Sequence, residues 1–309
     1  MSLLTEISSD VHTGFAELSR QLWLHIGMHK TGTSALQRFF CINADAMRRF
    51  GHLYPMAGRS GRVEGHHLLA HGIEHTHISL SSWDELYREA DESECENLIV
   101  SSEDFEFRRD RRYRDKVEIT REKCDSFATR IVVYLRRQDQ FVQSAYLQNL
   151  RTSRYTGSLQ NLIETNRSKF DYYEFLAPWR ECFGPQNIVV RIYEEARTPG
   201  GIFLDFTDTV GLPREYDWLV PEGRINPAVP SSRAGILRVL NMLPITDAIR
   251  RRLIWRLSRH GDSDRSVSSH DMLSASDRTT LLQKYESSNQ RVAIEYLGRS
   301  DGKLFDSVG

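Results

Sequence analysis

The stretch LWLHIGMHKTGTSALQRFF, residues 22 to 40, constrains the fold more than any other part of the chain. An apolar run, LWLHI, stops at Gly27, the polar residues His29 to Ser34 follow, and Leu36, Phe39 and Phe40 then recur near helical spacing. A strand that passes through so short a connection into a helix leaves the first backbone N–H groups of that helix facing outward, which is an anion site by geometry. Gly32 permits close backbone approach, Thr31, Thr33 and Ser34 add hydroxyl donors, and Lys30 adds a point charge. The loop suits phosphate or an anion of similar shape.

Three further apolar runs, NLIVS (97–101), RIVVYL (130–135) and NIVVRIY (187–193), are rich in β-branched residues and lack strict polar alternation, as strands covered on both faces do. Helical patterns lie between them, and SALQRFFCINADAMRRF reads as one. The fold class expected is α/β, with a mainly parallel central sheet flanked by helices and a helical C-terminal part. There, LSASDRTTLLQKYESSNQRVAIEYLG reads as one long helix opened by a Ser274/Asp277 cap and closed by Gly298. Residues 1–20 are expected to form an arm, and 21–305 a single domain.

Charge and cysteine usage narrow the function. Forty-one Lys and Arg against 42 Asp and Glu give a net charge of -1, so no global field holds nucleic acid, and any anion must be met locally. The four cysteines show no paired short spacing, which argues against a zinc site and a disulfide scaffold and points to a reduced, cytoplasmic setting. No run approaches the length of a transmembrane segment. The loop also departs from the nucleoside-triphosphate pattern G-x-x-x-x-G-K-[ST], because Lys30 precedes Gly32 instead of following it. No later strand ends in an Asp suited to magnesium, so transfer without a metal is expected.

HIGMHKTGTSALQ resembles the 5'-phosphosulfate loop of sulfotransferases that use 3'-phosphoadenosine 5'-phosphosulfate (PAPS) and release the 3',5'-bisphosphate (PAP). In that family an Arg at the end of a later strand and a Ser eight positions on hold the 3'-phosphate. IVVYLRRQDQFVQSAYLQ matches with Arg136 and Ser144, while Arg137 is either a second ligand or a solvated neighbour. The segments WRECFGPQNIVVRIYEEA and LSASDRTTLLQKYESSNQRVAIEYLG, the latter followed by KLF, resemble bacterial members, so the likeness covers most of residues 21–305. It departs in having no R-K-G loop near the C-terminus. The resemblance implies a P-loop-like sulfotransferase architecture, PAPS bound by Lys30, Thr31, Gly32, Thr33, Ser34, Arg136 and Ser144, and transfer of a sulfonate to an acceptor hydroxyl, with Lys30 stabilising the leaving oxygen.

The family's base is a His or a Glu, and two places supply one. The segment from Tyr54 to His77 carries His66, His67, His71, His75 and His77, with His67, His71 and His75 at i,i+4 spacing; one base from the pair His66 and His67 is favoured over a metal set. Glu103, just beyond the NLIVS strand, belongs at the same carboxyl edge of the sheet as Lys30 and Arg136. His67 is the first nominee and Glu103 the second. On the acceptor side, residues 222–265 hold nine arginines against four acids. This basic stretch, within 220–270, is by default a solvated helix face; it also fits a membrane-lying helix, or a lid over a small-molecule or saccharide acceptor with Arg251 and Arg252 gripping an anionic sugar. The alternatives are a P-loop-type kinase or other nucleotide-triphosphate enzyme, and a nucleotide binder without catalysis. The sequence sets no oligomeric state.

Overall fold

A computed structural model of the chain describes residues 20–61, 63–75, 78–107, 109–197, 201–221, 231–259 and 272–306. Strand β1 (Gln21–His25) leads through the loop into α1 (Thr33–Ile42) and α2 (Ala44–Arg49), and these reach the two-residue β2 (His52–Leu53). Helices α3 (His67–Glu74) and α4 (Ser81–Asp91) return the chain to β3 (Asn97–Ser101), and α5 (Tyr113–Lys123) carries it to β4 (Ala128–Leu135). From there α6 (Gln138–Thr152), α7 (Leu159–Thr165) and α8 (Tyr172–Phe183) lead to β5 (Ile188–Ile192). The remaining elements are helical: α9 (Gly201–Val210), α10 (Ala234–Met242), α11 (Asp247–Arg259), α12 (Ala275–Lys284) and α13 (Glu286–Leu297).

The strands lie in the order β2-β3-β1-β4-β5, and every pairing is parallel. The protein is therefore an α/β structure with a five-stranded parallel sheet flanked by helices, as the alternating pattern predicts. Period-2 alternation sends the strand residues to two cores. Leu22, Leu24, Leu98, Val100, Ile131 and Val133 pack on the face covered by α3 to α8, whereas Trp23, Ile99, Val132 and Tyr134 meet Leu36, Phe39, Phe40 and Phe206 from α1 and α9. The first crossover leaves β1 toward one edge and the later ones run the other way. Right-handed connections thus place their helices on opposite faces, and the direction reverses at β1, where open sheets of this kind collect ligands.

Two helices differ from expectation. The segment after the loop breaks at Asn43, whose side-chain amide donates to Phe39 O (2.8 Å) and Leu219 O (2.9 Å), so local hydrogen bonding competes with the helix. The long C-terminal helix is two, broken at Tyr285 (φ -107°). Tyr285 is buried and donates its hydroxyl to Arg167 O (3.0 Å), which turns the second half onto α8 while the first packs on α6. The Ser274 cap and Gly298, at φ 64°, form as read. The sequence reading lacked β2, because two residues leave no period to detect. Of the N-terminal arm only Arg20 is described, and parts of the basic 220–270 stretch (222–230 and 260–271) lie outside the described residues, as does His77.

Candidate functional site

The loop after β1 is held from below and left bare above. Thr31 and Thr33 are buried, and both donate their hydroxyls to Met28 O, at 2.6 and 3.4 Å. The expectation of outward-facing hydroxyls is therefore not met at these two residues: they tie the loop down, and what they offer an anion is backbone N–H. Buried Glu106 accepts the His29 N–H (3.3 Å), pinning the loop from the β3 side. Gly32 is the N-cap of helix α1 and brings no side-chain cap, while Ala35 N–H already donates to Gly32 O (2.9 Å), so the backbone N–H groups of Thr33 and Ser34 are the first-turn donors a bound anion could use. Gly32 is required there twice over. Its φ is 83°, and a Cβ would stand 3.2 Å from Ile202 Cδ1 and 3.3 Å from the Tyr193 ring.

Arg136 reaches the same rim because β4 is long. Residue pairing sets His25 opposite Val132, so β4 runs three residues past the end of β1, about 10 Å at strand rise. That lifts Arg136 to the level of the loop, where its Nη1 donates to Lys30 O (2.9 Å) and its Nη2 to Gln140 Oε1 (3.4 Å). Its guanidinium lies 5.2 Å from the centre of the Tyr193 ring, and Glu194 is 4.0 Å from its Nε. Gln140 and Ser144 are four residues apart on α6 and so share one stripe, which begins at Arg136. Arg137, next in sequence, donates its Nε and Nη2 to the buried Asp139 (2.7 and 3.1 Å).

Lys30 itself has φ 70°, rare for a residue with a side chain. Burial lowers its pKa below the ordinary lysine value, and the charges of Arg151 and Arg136 lower it further. Three cations thus converge on one loop, an arrangement that an incoming anion would relieve.

The adjacent histidines, His66 and His67, have different surroundings. His66 is fully buried. Ser101 N–H donates to its Nδ1 (3.0 Å), which makes Nε2 the donor to Pro55 O (3.0 Å), and burial drives its pKa down to about 3. Both nitrogens are committed to the backbone, and it braces the edge of the sheet. His67 opens α3 with its Nδ1 beside Ser102 Oγ (2.8 Å) and Asp104 Oδ2 (3.0 Å). Burial works against a charge on His67, but the Asp104 hydrogen bond and the charges of Glu103 and Asp104 outweigh it and hold the pKa above the ordinary value. Burial pushes the Asp104 pKa up, and the His67 hydrogen bond with the charges of His67, His71 and His29 brings it below normal. With Nδ1 engaged by the carboxylate, Nε2 is the basic nitrogen. It points toward Gly65 and Gln37: a Cβ on Gly65 would stand 2.7 Å from His67 Nε2 and 2.6 Å from Gln37 Nε2.

Glu103 stands next to this corner. Gln37 donates to its Oε2 (3.0 Å), and a Cβ on Gly27 would lie 3.4 Å from the Glu103 Cα, so β3 delivers it against the start of the loop. Gln37 thus contacts Glu103 and lies on the same side of Gly65 as His67 Nε2. His71 Nε2 donates to Asp104 Oδ2 (2.7 Å), and His67, His71 and His75 form a stripe with ring centres 6.3 and 5.9 Å apart. Among the described residues no group of three or more His, Cys, Asp or Glu is placed to hold a metal ion.

Sequence reasoning did not nominate Asp104, Gln37, Gln140 or Arg151. Gln140 carried a usable signal, one turn after Arg136 on the stripe of Ser144; the others become partners only through the fold. It also passed over His25, buried beneath the loop with Nδ1 2.9 Å from Ser101 Oγ and its pKa lowered to about 3 by burial.

No family model matches the chain. It is 28% identical over 177 residues to an uncharacterized protein of Archaeoglobus fulgidus, an overlap of 55% of this chain and 46% of that one, so the chain spans about half of the relative's length. Among solved structures it is similar to a sulfotransferase from Alicyclobacillus acidocaldarius, with a TM-score of 0.43 and 17% identity over 77% of this chain and 91% of that one. Among the described residues no helix is long and apolar enough to cross a membrane.

Proposed function

We propose that the protein is a PAPS-dependent sulfotransferase that moves a sulfonate to an acceptor hydroxyl, with a carbohydrate among the acceptors that suit it. The observation that carries this reading is the hydrogen bond from Arg136 Nη1 to Lys30 O (2.9 Å), which joins two sequence-distant cations on one rim beside an uncapped helix N-terminus. A ligand with separate anionic groups at its two ends fits such a rim, and the donor set is one of N–H groups and fixed cations.

Bound there, PAPS supplies an activated sulfonate on a phosphate leaving group. The residues have divided tasks. The backbone of Gly32, Thr33 and Ser34 and the Lys30 ammonium hold the 5' end, and Lys30 neutralises the charge that develops on the leaving oxygen. Arg136, with Ser144 and Gln140 along α6, holds the 3'-phosphate. His67 takes the proton of the acceptor hydroxyl at Nε2, and Asp104 orients the ring and stabilises its charged form. Glu103 is the second nominee for the base.

Isothermal titration of PAP into the wild type and into Arg136→Ala, with ATP plus magnesium as control, tests the donor. Losing charge-assisted hydrogen bonds costs roughly 1.5–3 kcal/mol, so affinity should fall by about ten- to a hundredfold, and ATP should bind more weakly than PAP to the wild type. Equal affinity for both ligands, indifferent to the mutation, would move the kinase reading to the front.

A further inference from the structure

Outside the donor rim, the chain has a second basic concavity. The last turn of α6 and the residues after it face one stripe of α11 across an open cleft of about 640 Å3, inside the size range of small-molecule sites. The α11 residues on its wall are Asp247, Arg250, Arg251, Ile254 and Trp255, a spacing of three and four that marks one face of the helix. That face would ordinarily be apolar and packed. Here it carries two guanidiniums and an indole that is 56% exposed.

Among the described residues Asp247 is the one acid on the cleft wall, and Arg154, on the opposite wall, binds it at 2.8 Å. Arg250 is 3% exposed, and its Nε and Nη2 donate to uncharged oxygens: Asn241 Oδ1 (2.8 Å), Leu150 O (3.1 Å) and Arg151 O (2.9 Å). A buried cation served by carbonyls leaves its charge in the cleft. Arg251 adds to it. Thr152 and Ser153, also on the wall, are exposed and donate their hydroxyl hydrogens back to Gln148 O (2.9 Å) and Asn149 O (2.9 Å), so their outward lone pairs accept. An acidic ligand rich in hydroxyl donors, with a flat apolar face for the indole, matches this set.

We propose that the cleft between α6 and α11 binds a carboxylated or sulfated oligosaccharide, with Arg251 on its acidic group and Trp255 against a sugar ring. Arg151, at the end of α6, lines the cleft and its charge also bears on Lys30, so α6 borders both sites. Resting on the sulfotransferase reading, the oligosaccharide is then the acceptor, or the chain that carries it. The wall also separates the two arginines that the sequence paired as a grip: Arg251 lines the cleft, and Arg252, one residue on, does not.

The test uses a hyaluronan hexasaccharide, with maltohexaose and polyglutamate as neutral and non-sugar controls, read by calorimetry on the full chain. Hyaluronan should bind, maltohexaose and polyglutamate should bind at least tenfold more weakly, and Arg251→Glu or Trp255→Ala should weaken hyaluronan at least tenfold. Arg252→Glu, an identical change of charge off the stripe, should cost less than threefold. Equal losses from Arg251→Glu and Arg252→Glu, or polyglutamate binding as well as hyaluronan, would overturn the proposal in favour of diffuse electrostatics. Binding of both arginine-sensitive forms to phosphatidylglycerol vesicles without hexasaccharide binding would overturn it in favour of a membrane surface. PAP affinity, measured on the same variants, should stay within threefold of wild type. A wild type that binds hyaluronan but not PAP would sink the donor reading and leave the cleft standing.

Discussion

The rim around Lys30 and the corner around His67 meet where Glu103 packs against Gly27, yet they are built in different ways. The rim comes from two continuous segments. Each carries its own geometry: a strand, a glycine-bearing turn and an uncapped helix in one, a long strand with Arg136 at its end in the other. The corner is assembled from three segments that share no local pattern, with His67 from α3, Gln37 from α1, and Ser102, Glu103 and Asp104 from the turn after β3. The rim's electrostatics are those of crowded cations, and the corner's are those of an acid that holds a base. That division suits the proposed transfer, with charge neutralised at the leaving group and a proton taken at the acceptor.

The largest effect should fall on the corner. General-base catalysis contributes about 10²–10⁴-fold, so His67→Asn should lower kcat by that order while PAP affinity stays near wild type. Glu103→Gln keeps the contact with Gln37 available and should cost far less. If the two losses are reversed in steady-state assays, Glu103 is the base and the Asp104–His67 pair is structural. Lys30→Ala tests the rim by the same measurement. Removing one preorganised charge-stabilising group typically costs about 10²–10³-fold in kcat. A variant that lost PAP affinity with kcat unchanged would show Lys30 to be a ground-state ligand only.

How much of each region the sequence disclosed follows from this contrast. The loop, Arg136 and Ser144 could be read because their placement depends on strand and helix periodicity within a few residues of each. Four of the five strands and the α/β class followed from the same periodicity; β2 is too short to show any, and the breaks at Asn43 and Tyr285 are where a side chain's distant partner overrides it. His66 and His67 show the limit most sharply. The sequence names His67 ahead of its neighbour without a physical contrast between them; only the return of β3, some thirty-five residues later in the chain, gives one a backbone cage and the other a carboxylate. The hydroxyls of Thr31 and Thr33 fit the anion motif by type, but Met28 O takes both.

The smallest effect is also the most specific to the corner. The neutral form of His67 is the base, so activity should rise with pH as it passes up through the raised His67 pKa, and level off above it. Asp104→Asn removes the hydrogen bond and charge that hold that pKa up, so the acidic limb should move to lower pH, with a lower plateau because the ring loses its orienting acceptor. Stability should follow with the opposite slope. A histidine whose folded pKa lies above its unfolded value stabilises the fold fully below 6.5, and the gain vanishes as pH rises through the folded value. Wild type should therefore exceed Asp104→Asn in stability more at acidic than at alkaline pH, as denaturant titrations at the two extremes would show. A pH profile that stays in place in Asp104→Asn would mean that His67 does not set the acidic limb, and would transfer the role of base to Glu103, which Gln37 holds beside the loop.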